Sequence, residues 1–249
     1  MNHYFLLTID VEDWFQVENF KEYIPFASWP SYELRVEKNP HRILDLLDSI
    51  GSKKTEARTQ ETVSNSENPV SRIQYSDNGQ QSTDDRQDEK VRGTFFVLGW
   101  LAERLPHLIR EIHSRGHEVA SHGYYHNLCN EQSYEDLKTD LCDSKNLLED
   151  IIGNQVYGYR APGFVIDNDI LKIIEDCGYL YDSSYNSFAM HRRYGQISVS
   201  QNGQKGIALQ IPKTRNPDFT GKYETRNTKY ETFYELPISN LEFMKSVLP

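Results

Sequence analysis

The sequence predicts an α/β fold built on a parallel sheet that is either open or closed into a barrel. Two observations lead to this prediction. First, β-rich apolar segments and segments of helical periodicity alternate along most of the chain. Second, the opening strand is a nearly continuous apolar run, as expected for a strand that is covered on both faces. Because 249 residues with 37% hydrophobic content can bury one sizeable core, residues 1–249 are interpreted as a single domain.

The first part of the predicted order contains one strand, one helix and a polar interruption. The strand covers residues 3–9, and a helix follows over residues 39–50, where Gly51 would end it. From 52 to 92, polar and charged residues dominate, and Tyr75 is the only aromatic residue. Such a segment cannot bury enough apolar surface to offset an ordering entropy of roughly 1–2 kcal/mol per residue. We therefore predict a disordered insertion at 52–92.

Strands and helices alternate again after this insertion. Ser133 and Asp136 form a capping box for the longest predicted helix. From Gly195 onward the alternation is interrupted, which favours β-hairpins and loops. The predicted strands are 94–98, 118–120, 156–159 and 179–181. The predicted helices are one around 108–114, a long one that follows the Ser133 cap and has its apolar stripe over 137–152, and one with its core at 170–174.

Charge and composition exclude several classes of partner and location. The net charge is −10, with 37 acidic and 27 basic residues, which disfavours a nucleic-acid partner because phosphate binding needs clustered Lys and Arg. No apolar stretch is long enough to span a membrane, and the N-terminus has no basic segment typical of a signal peptide. Three widely spaced cysteines do not suggest a disulfide framework. These features favour a cytoplasmic location.

Polar residues follow the ends of four predicted strands. Asp10, His122, Arg160 and Asp182 each lie at or just after a strand end. In barrels and open α/β sheets the carboxyl ends of the strands form one face, where residues from distant parts of the chain meet. The sequence therefore predicts one site made from all four segments.

The segment after the third predicted strand offers two imidazoles. His122 and His126 are four residues apart and could face one side of a helical turn. With a carboxylate from another segment they would form a site suited to zinc or another divalent ion. A lone pair of histidines at this spacing is more often found at a surface or a helix cap. The acidic cluster after the first strand favours the metal site.

The other three segments each have a functional and a purely structural interpretation. The acids Asp10, Glu12 and Asp13 could supply a metal ligand and a general base, or only a solvated turn. Arg160 could orient a catalytic aspartate through a bidentate pair, or lie at an ordinary Pro-Gly turn. Asp182 could be an active-site carboxylate, or could cap an Asx-type turn.

Five motifs follow one another along the chain, namely Thr8–Asp10, Thr94–Gly99, Gly116–His126, Arg160–Gly163 and Tyr181–Ser184. Taken together, these ordered motifs resemble the polysaccharide deacetylase family, which is the NodB-homology or carbohydrate esterase family 4 group. The resemblance spans Phe5 to about Gly195 apart from the insertion. The first and last motifs, Asp-Val-Glu-Asp-Trp and Glu-Leu-Pro-Ile-Ser, are similar to the branch found in bacterial exopolysaccharide loci.

The resemblance implies a distorted (β/α) barrel that removes N-acetyl groups from a carbohydrate with the help of a divalent metal ion, zinc being expected first. It makes His122 and His126 metal ligands, Asp10 the general base and Arg160 the residue that orients this base. Asp182 would support the acid side. A bacterial polysaccharide or its precursor is the expected substrate, and the machinery of polysaccharide synthesis is the expected partner.

Two departures from the family pattern affect these expectations. Val11 stands where the family has a metal-binding aspartate, so Glu12 or Asp13 must supply the ligand. Glu12 is preferred because it shares a side of an extended strand with Asp10. The family's late histidine motif does not occur before Pro249, so the barrel is expected to lack its C-terminal end. Either the product is truncated, or another group protonates the leaving amine.

Three functions therefore stay open. The first is a metal-dependent carbohydrate N-deacetylase, which the paired histidines favour. The second is a hydrolase of cyclic amides or imides on the same fold, which would work without a metal. The third is a catalytically impaired saccharide-binding domain, which the missing late histidine would explain.

Overall fold

The structure is a computed structural model that describes residues 6–50, 91–186, 197, 204–205, 208–211 and 233–238. The chain divides into two compact units, Met1–Glu37 with Gly93–Pro249, and Lys38–Arg92. The predicted insertion at 52–92 lies outside the described residues apart from 91 and 92. Its predicted disorder, and the interpretation of residues 1–249 as one domain, stay predictions.

The first unit is built on a largely parallel sheet. The described strands follow the order β1-β2-β3-β4-β5-β8-β7-β6, and neighbours from β1 to β8 in this order are parallel. The last two strands form an antiparallel hairpin, β6–β7, in the region where hairpins were predicted. The strands are β1 Thr8–Val11, β2 Thr94–Val97, β3 Glu118–Ser121, β4 Gly158–Tyr159, β5 Tyr181–Asp182, β6 Gln204–Lys205, β7 Ala208–Ile211 and β8 Phe233–Glu235.

Helices connect the parallel strands, which confirms the predicted α/β fold. In the second unit, residues 38–50 form helix α1. In the first unit the helices are α2 Gly99–Arg104, α3 Pro106–Ser114, α4 Tyr134–Ile152 and α5 Asn168–Asp176. The predicted capping box is confirmed, since the Ser133 hydroxyl accepts a hydrogen bond from the Asp136 backbone N–H at the start of α4. None of the described helices is long and apolar enough to cross a membrane.

The core of the first unit lies along the central strands. Phe95, Phe96 and Val97 of β2 are all fully buried, as are Leu108 and Ile109 of α3. A strand buried on both faces must be apolar at successive positions, which explains why its sequence shows no alternation of polar and apolar residues. The rigid central strands fix the positions of the residues that follow them.

Some elements differ from the sequence-based expectations. Helix α2 was not predicted, because its six residues are too few to establish a helical period. The first strand begins at Thr8, later than predicted, and the described residues Leu6 and Leu7 before it are exposed. Strand β8 was missed because three residues alone carry little pattern, and its pairing with β5 joins positions more than 50 residues apart.

Candidate metal centre and active site

One row of paired residues crosses the sheet at the carboxyl ends of its parallel strands. In order across the sheet, the members are Val11, Val97, Ser121, Tyr159, Asp182 and Glu235. Glu12, His122 and Arg160 each come one residue after this row. Because parallel strands end at the same edge of a sheet, these three residues converge there although they are far apart in sequence.

A carboxylate and two imidazoles form a group that could hold a metal ion. One ligand atom from each of Glu12, His122 and His126 lies within 4.8 Å of the others. His126 Nε2 is 2.9 Å from Glu12 Oε2, and both histidines are buried, with 2% and 6% exposure. Apart from this contact with His126, Glu12 Oε2 has no polar partner among the described residues. Two nitrogens and one carboxylate oxygen are a donor set that suits zinc, so these residues fit a divalent ion.

The electrostatics of this group favour metal binding. Burial opposes ionisation of Glu12, but the contact with His126 and the nearby His122 outweigh it and hold the pKa of Glu12 below its ordinary value. Burial also lowers the pKa of His122, against the opposing effect of Asp10. Both shifts favour the states that bind metals, an ionised carboxylate and a neutral imidazole.

A backbone carbonyl orients the first imidazole. His122 Nδ1 lies 2.7 Å from the carbonyl oxygen of Arg160, which can only accept, so Nδ1 carries the proton. The lone pair of Nε2 is then free for a metal. Such a hydrogen bond on the far side of a ligating ring fixes its tautomer and its direction.

The two histidines lie on a loop, and the predicted helical turn is wrong. The segment from His122 to Leu128 follows the end of the third described strand and contains no helix. Gly123 has a φ of +77° and His126 a φ of +56°. A non-glycine residue in the left-handed region is uncommon and often marks a functional site. The left-handed backbone at Gly123 and at His126, rather than helical periodicity, brings the two imidazoles together.

Asp140 of α4 anchors this loop, and the sequence analysis missed it. Its carboxylate accepts hydrogen bonds from the backbone N–H groups of Tyr124 and Tyr125, at 2.9 and 3.4 Å. A Cβ on Gly123 would meet Asp140 Oδ1 at 2.9 Å, so only glycine allows this close approach. Burial raises the pKa of Asp140 to about 6. The only sequence signal is an acidic residue inside the apolar stripe of a helix.

Replacing Asp140 with alanine is expected to weaken zinc binding by about 10- to 100-fold, the range typical of residues that support metal ligands. The loop would lose two hydrogen bonds that hold it between the histidines. Competition with a chromogenic zinc chelator measures the affinity. Asp143→Ala on the exposed face of α4 is the matched control and should bind zinc as the unmodified chain does. Equal affinities for both variants would show that Asp140 does not position the ligands.

Asp13 is separated from the metal group by its own hydrogen bonds. It is 3% exposed, and Oδ2 accepts from the backbone N–H groups of Arg35 and Val36, at 2.7 and 3.0 Å. Oδ1 accepts from the backbone N–H of Trp14 at 2.9 Å. The sequence left two carboxylates open as metal ligands. In the structure Glu12 lies against His126, whereas Asp13 binds the backbone of Arg35 and Val36.

Arg160 holds Asp10 beside the metal group. Nη1 donates to Asp10 Oδ1 at 2.7 Å, and Nη2 donates to Thr8 Oγ1 and to Ser183 Oγ. The guanidinium also donates through Nε to the carbonyl oxygen of Ser183 and lies 4.0 Å from the ring centroid of Phe96. Contacts on every side fix the guanidinium, so the orientation of Asp10 is fixed too. Asp10 Oδ2 accepts no hydrogen bond from the described residues.

Asp182, at the end of β5, is buried and is not part of the metal group. Its side chain is fully buried, and it accepts hydrogen bonds from the backbone N–H and the hydroxyl of Ser184, both at 2.8 Å. Burial raises the pKa of Asp182 to about 6, and burial together with Asp182 raises the pKa of the neighbouring Glu235 well above its usual value. The Asp182–Ser184 turn supports Ser183, which in turn binds Arg160.

An open cleft is lined by the carboxylates of Asp10 and Glu12 together with the two imidazoles. Its volume is about 210 Å³, and no histidine other than these two lines it among the described residues. His191 lies outside the described residues. The cleft is lined by Asp10, Glu12, Val17, Glu18, Asn19, His122, His126, Gly163 and Phe164.

Similar proteins are found by sequence over the central part of the chain. Residues 74–181 match the model of the polysaccharide deacetylase family. A peptidoglycan-N-acetylglucosamine deacetylase of Bacillus cereus is 30% identical over 90 residues, 36% of this chain and 42% of that protein. A peptidoglycan deacetylase-like protein of Gibberella zeae is 35% identical over 96 residues, 39% of this chain and 28% of that protein. The chain thus covers less than half the length of these relatives.

A solved structure extends the likeness to the fold of nearly the whole chain. A crystal structure from Mycobacterium smegmatis, described as a polysaccharide deacetylase, matches 94% of this chain and 58% of that one with a TM-score of 0.53. The identity is 21%, so this likeness concerns the fold alone. The resemblance of the sequence motifs to the polysaccharide deacetylase family is confirmed by the match of residues 74–181 to the model of that family.

Proposed function

We propose that this chain is a metal-dependent carbohydrate N-deacetylase. It hydrolyses the N-acetyl group of an amino sugar in a bacterial polysaccharide or its precursor, so that the amide and water become a free amine and acetate. The observation that carries the proposal is that one cleft contains both the Glu12, His122 and His126 group and the carboxylate of Asp10. Arg160 holds this carboxylate through an ion pair. The family match of residues 74–181 supports it.

The residues of the cleft divide the chemistry between them. A divalent ion held by Glu12, His122 and His126 would polarise the acetyl carbonyl and acidify the attacking water. Asp10 takes the proton from this water as it attacks the carbonyl carbon, and a positioned base of this kind typically contributes about 10²–10⁴ to the rate. Arg160 engages Oδ1 of Asp10, so Oδ2 is the oxygen that takes the proton.

Zinc is the proposed ion, since imidazole and carboxylate ligands with open positions suit it. The amino-sugar substrate is supported by the names of the relatives, which are peptidoglycan deacetylases. That the polymer is an exopolysaccharide, that the chain acts with polysaccharide-synthesis proteins, and that it works in the cytoplasm are proposals that rest on the sequence motifs and composition.

An assay of products separates this proposal from the two alternatives. Zinc-loaded protein is incubated with acetylated chito-oligosaccharides, and acetate and free amine are measured together. The proposal expects equal amounts of both. Sugar binding without acetate release would favour a saccharide-binding domain, and ring opening of a cyclic imide without added metal would favour the amide hydrolase.

A further inference from the structure

We propose that an aromatic pocket beside the cleft binds a second sugar ring of the substrate, next to the ring that loses its acetyl group. This inference rests on the proposed function, because it extends that function from one amino sugar to a chain of at least two. The aromatic pocket is defined by Phe15, Ile24, Phe26, Trp29 and Tyr125, and it has a volume of about 380 Å³.

The aromatic pocket adjoins the metal group directly. Val17, Glu18 and His126 line both the aromatic pocket and the cleft. A ligand that fills the pocket is therefore adjacent to the imidazole of a proposed metal ligand. The volume lies within the range of about 300–1,000 Å³ that is typical of small-molecule sites.

The walls of the pocket offer flat apolar surfaces at its mouth. Phe26 and Tyr125 meet edge to face, with ring centroids 5.0 Å apart, and are 49% and 41% exposed. Trp29 packs against Phe26 at 5.0 Å and against Trp100 at 5.4 Å, so its ring is held from two sides. Aromatic faces of this kind pack well against the C–H faces of pyranose rings.

Two hydrogen-bond donors on residues that line the same pocket are buried and have no partner among the described residues. They are Nε2 of Gln16, a residue that is 3% exposed, and Nε1 of Trp29, a residue that is 6% exposed. The other end of the Gln16 amide is fixed, because Oε1 accepts from the backbone N–H of Asp13 at 2.7 Å. A buried donor without a partner is unfavourable, so the pocket favours a ligand with acceptor oxygens.

These features together point to a sugar rather than an aliphatic chain. A hydrocarbon would fill the apolar walls but leave both donors unpaired. A pyranose ring combines apolar faces with hydroxyl and ring oxygens at its edge, so it satisfies both requirements. The segment 14–29 that supplies most of the pocket thus determines specificity for the neighbouring ring.

The test measures binding of the N-acetylglucosamine trisaccharide and monosaccharide by calorimetry in zinc-loaded Asp10→Asn protein, where turnover is expected to be slower by about 10²–10⁴-fold. Trp29→Phe removes the indole donor and keeps an aromatic ring. Gln16→Glu keeps Oε1 for Asp13 and removes the amide donor. Each substitution is expected to weaken trisaccharide binding by about 3- to 10-fold, the effect of one neutral hydrogen bond, and to narrow the advantage of trisaccharide over monosaccharide.

Trp14→Phe is the matched control, because Trp14 is exposed and does not line the pocket. It should leave the trisaccharide affinity unchanged, and all variants should unfold at the same temperature as their parent. Unchanged trisaccharide affinity in both pocket variants, or no trisaccharide binding to the parent, overturns the proposal. If the parent binds N-octanoylglucosamine more tightly than the trisaccharide, and Trp29→Phe loses this tighter binding, the proposal is overturned in favour of a pocket for an acyl chain. Failure of the proposed function is distinct, because it appears as absent acetate release by zinc-loaded protein that retains Asp10, whatever the trisaccharide affinity.

Discussion

Replacing Asp10 with asparagine is expected to lower acetate release by about 10²–10⁴-fold while the metal stays bound. Asparagine is nearly isosteric and can still accept the hydrogen bond from Arg160 Nη1, which is 2.7 Å long in the structure. It cannot take a proton from water. Because Asp10 is not part of the Glu12, His122 and His126 group, metal content should be unaffected. Steady-state acetate release and elemental analysis on the same preparation measure both effects.

The carboxylates that follow Asp10 provide the comparison for this variant. Glu12→Gln should lose metal, and Asp13→Asn should keep it, because Asp13 binds backbone N–H groups away from the site. The opposite pattern, in which Asp10→Asn loses metal and Glu12→Gln retains it, would make Asp10 the ligand. The base would then have to be another group.

Removing either histidine is expected to abolish metal binding and acetate release together. The site has three protein ligands, and His122→Ala or His126→Ala leaves only two of them to hold the ion. The Glu12 carboxylate and the remaining imidazole would also be held less firmly, because the three ligand atoms lie within 4.8 Å of one another and each side chain helps to position the other two. Elemental analysis after dialysis against dilute zinc should find most of the metal gone from both variants.

An exposed histidine provides the matched control for this loss. His107 lies in the first unit, is 57% exposed at its side chain and contacts Glu37, away from the cleft. His107→Ala should retain full metal content and activity. Full metal occupancy in both the His122 and His126 variants would make the metal-site assignment wrong.

The positions of site residues could be predicted from the sequence where they depend on the ends of strands or on the alternation of side chains along a strand. The end of β1 was recognised from an apolar run followed by acids, and the parallel register then places residues 12, 122 and 160 at one edge. The preference for Glu12 over Asp13 came from alternation along a strand. In the structure Glu12 lies against His126, and Asp13 binds the backbone of Arg35, which is the arrangement that this preference requires.

Other features depend on contacts that no local pattern records. The loop that carries His122 and His126 needs a left-handed residue at His126, which propensity does not predict. The loop's anchor, Asp140, lies 14 residues further along on a helix. The burial of Asp182 could not be foreseen either, because it depends on the pairing of β5 with β8.

Acetate release by metal-free protein as zinc is added back tests the proposed function most directly. The Glu12, His122 and His126 group predicts that release is absent without zinc, rises in proportion to added zinc and reaches its maximum at about one zinc per chain. The Asp10→Asn variant should bind the same amount of zinc and release little acetate. Full acetate release by the metal-free chain, or a His122→Ala variant that gives the same titration curve, would contradict a metal-dependent deacetylase.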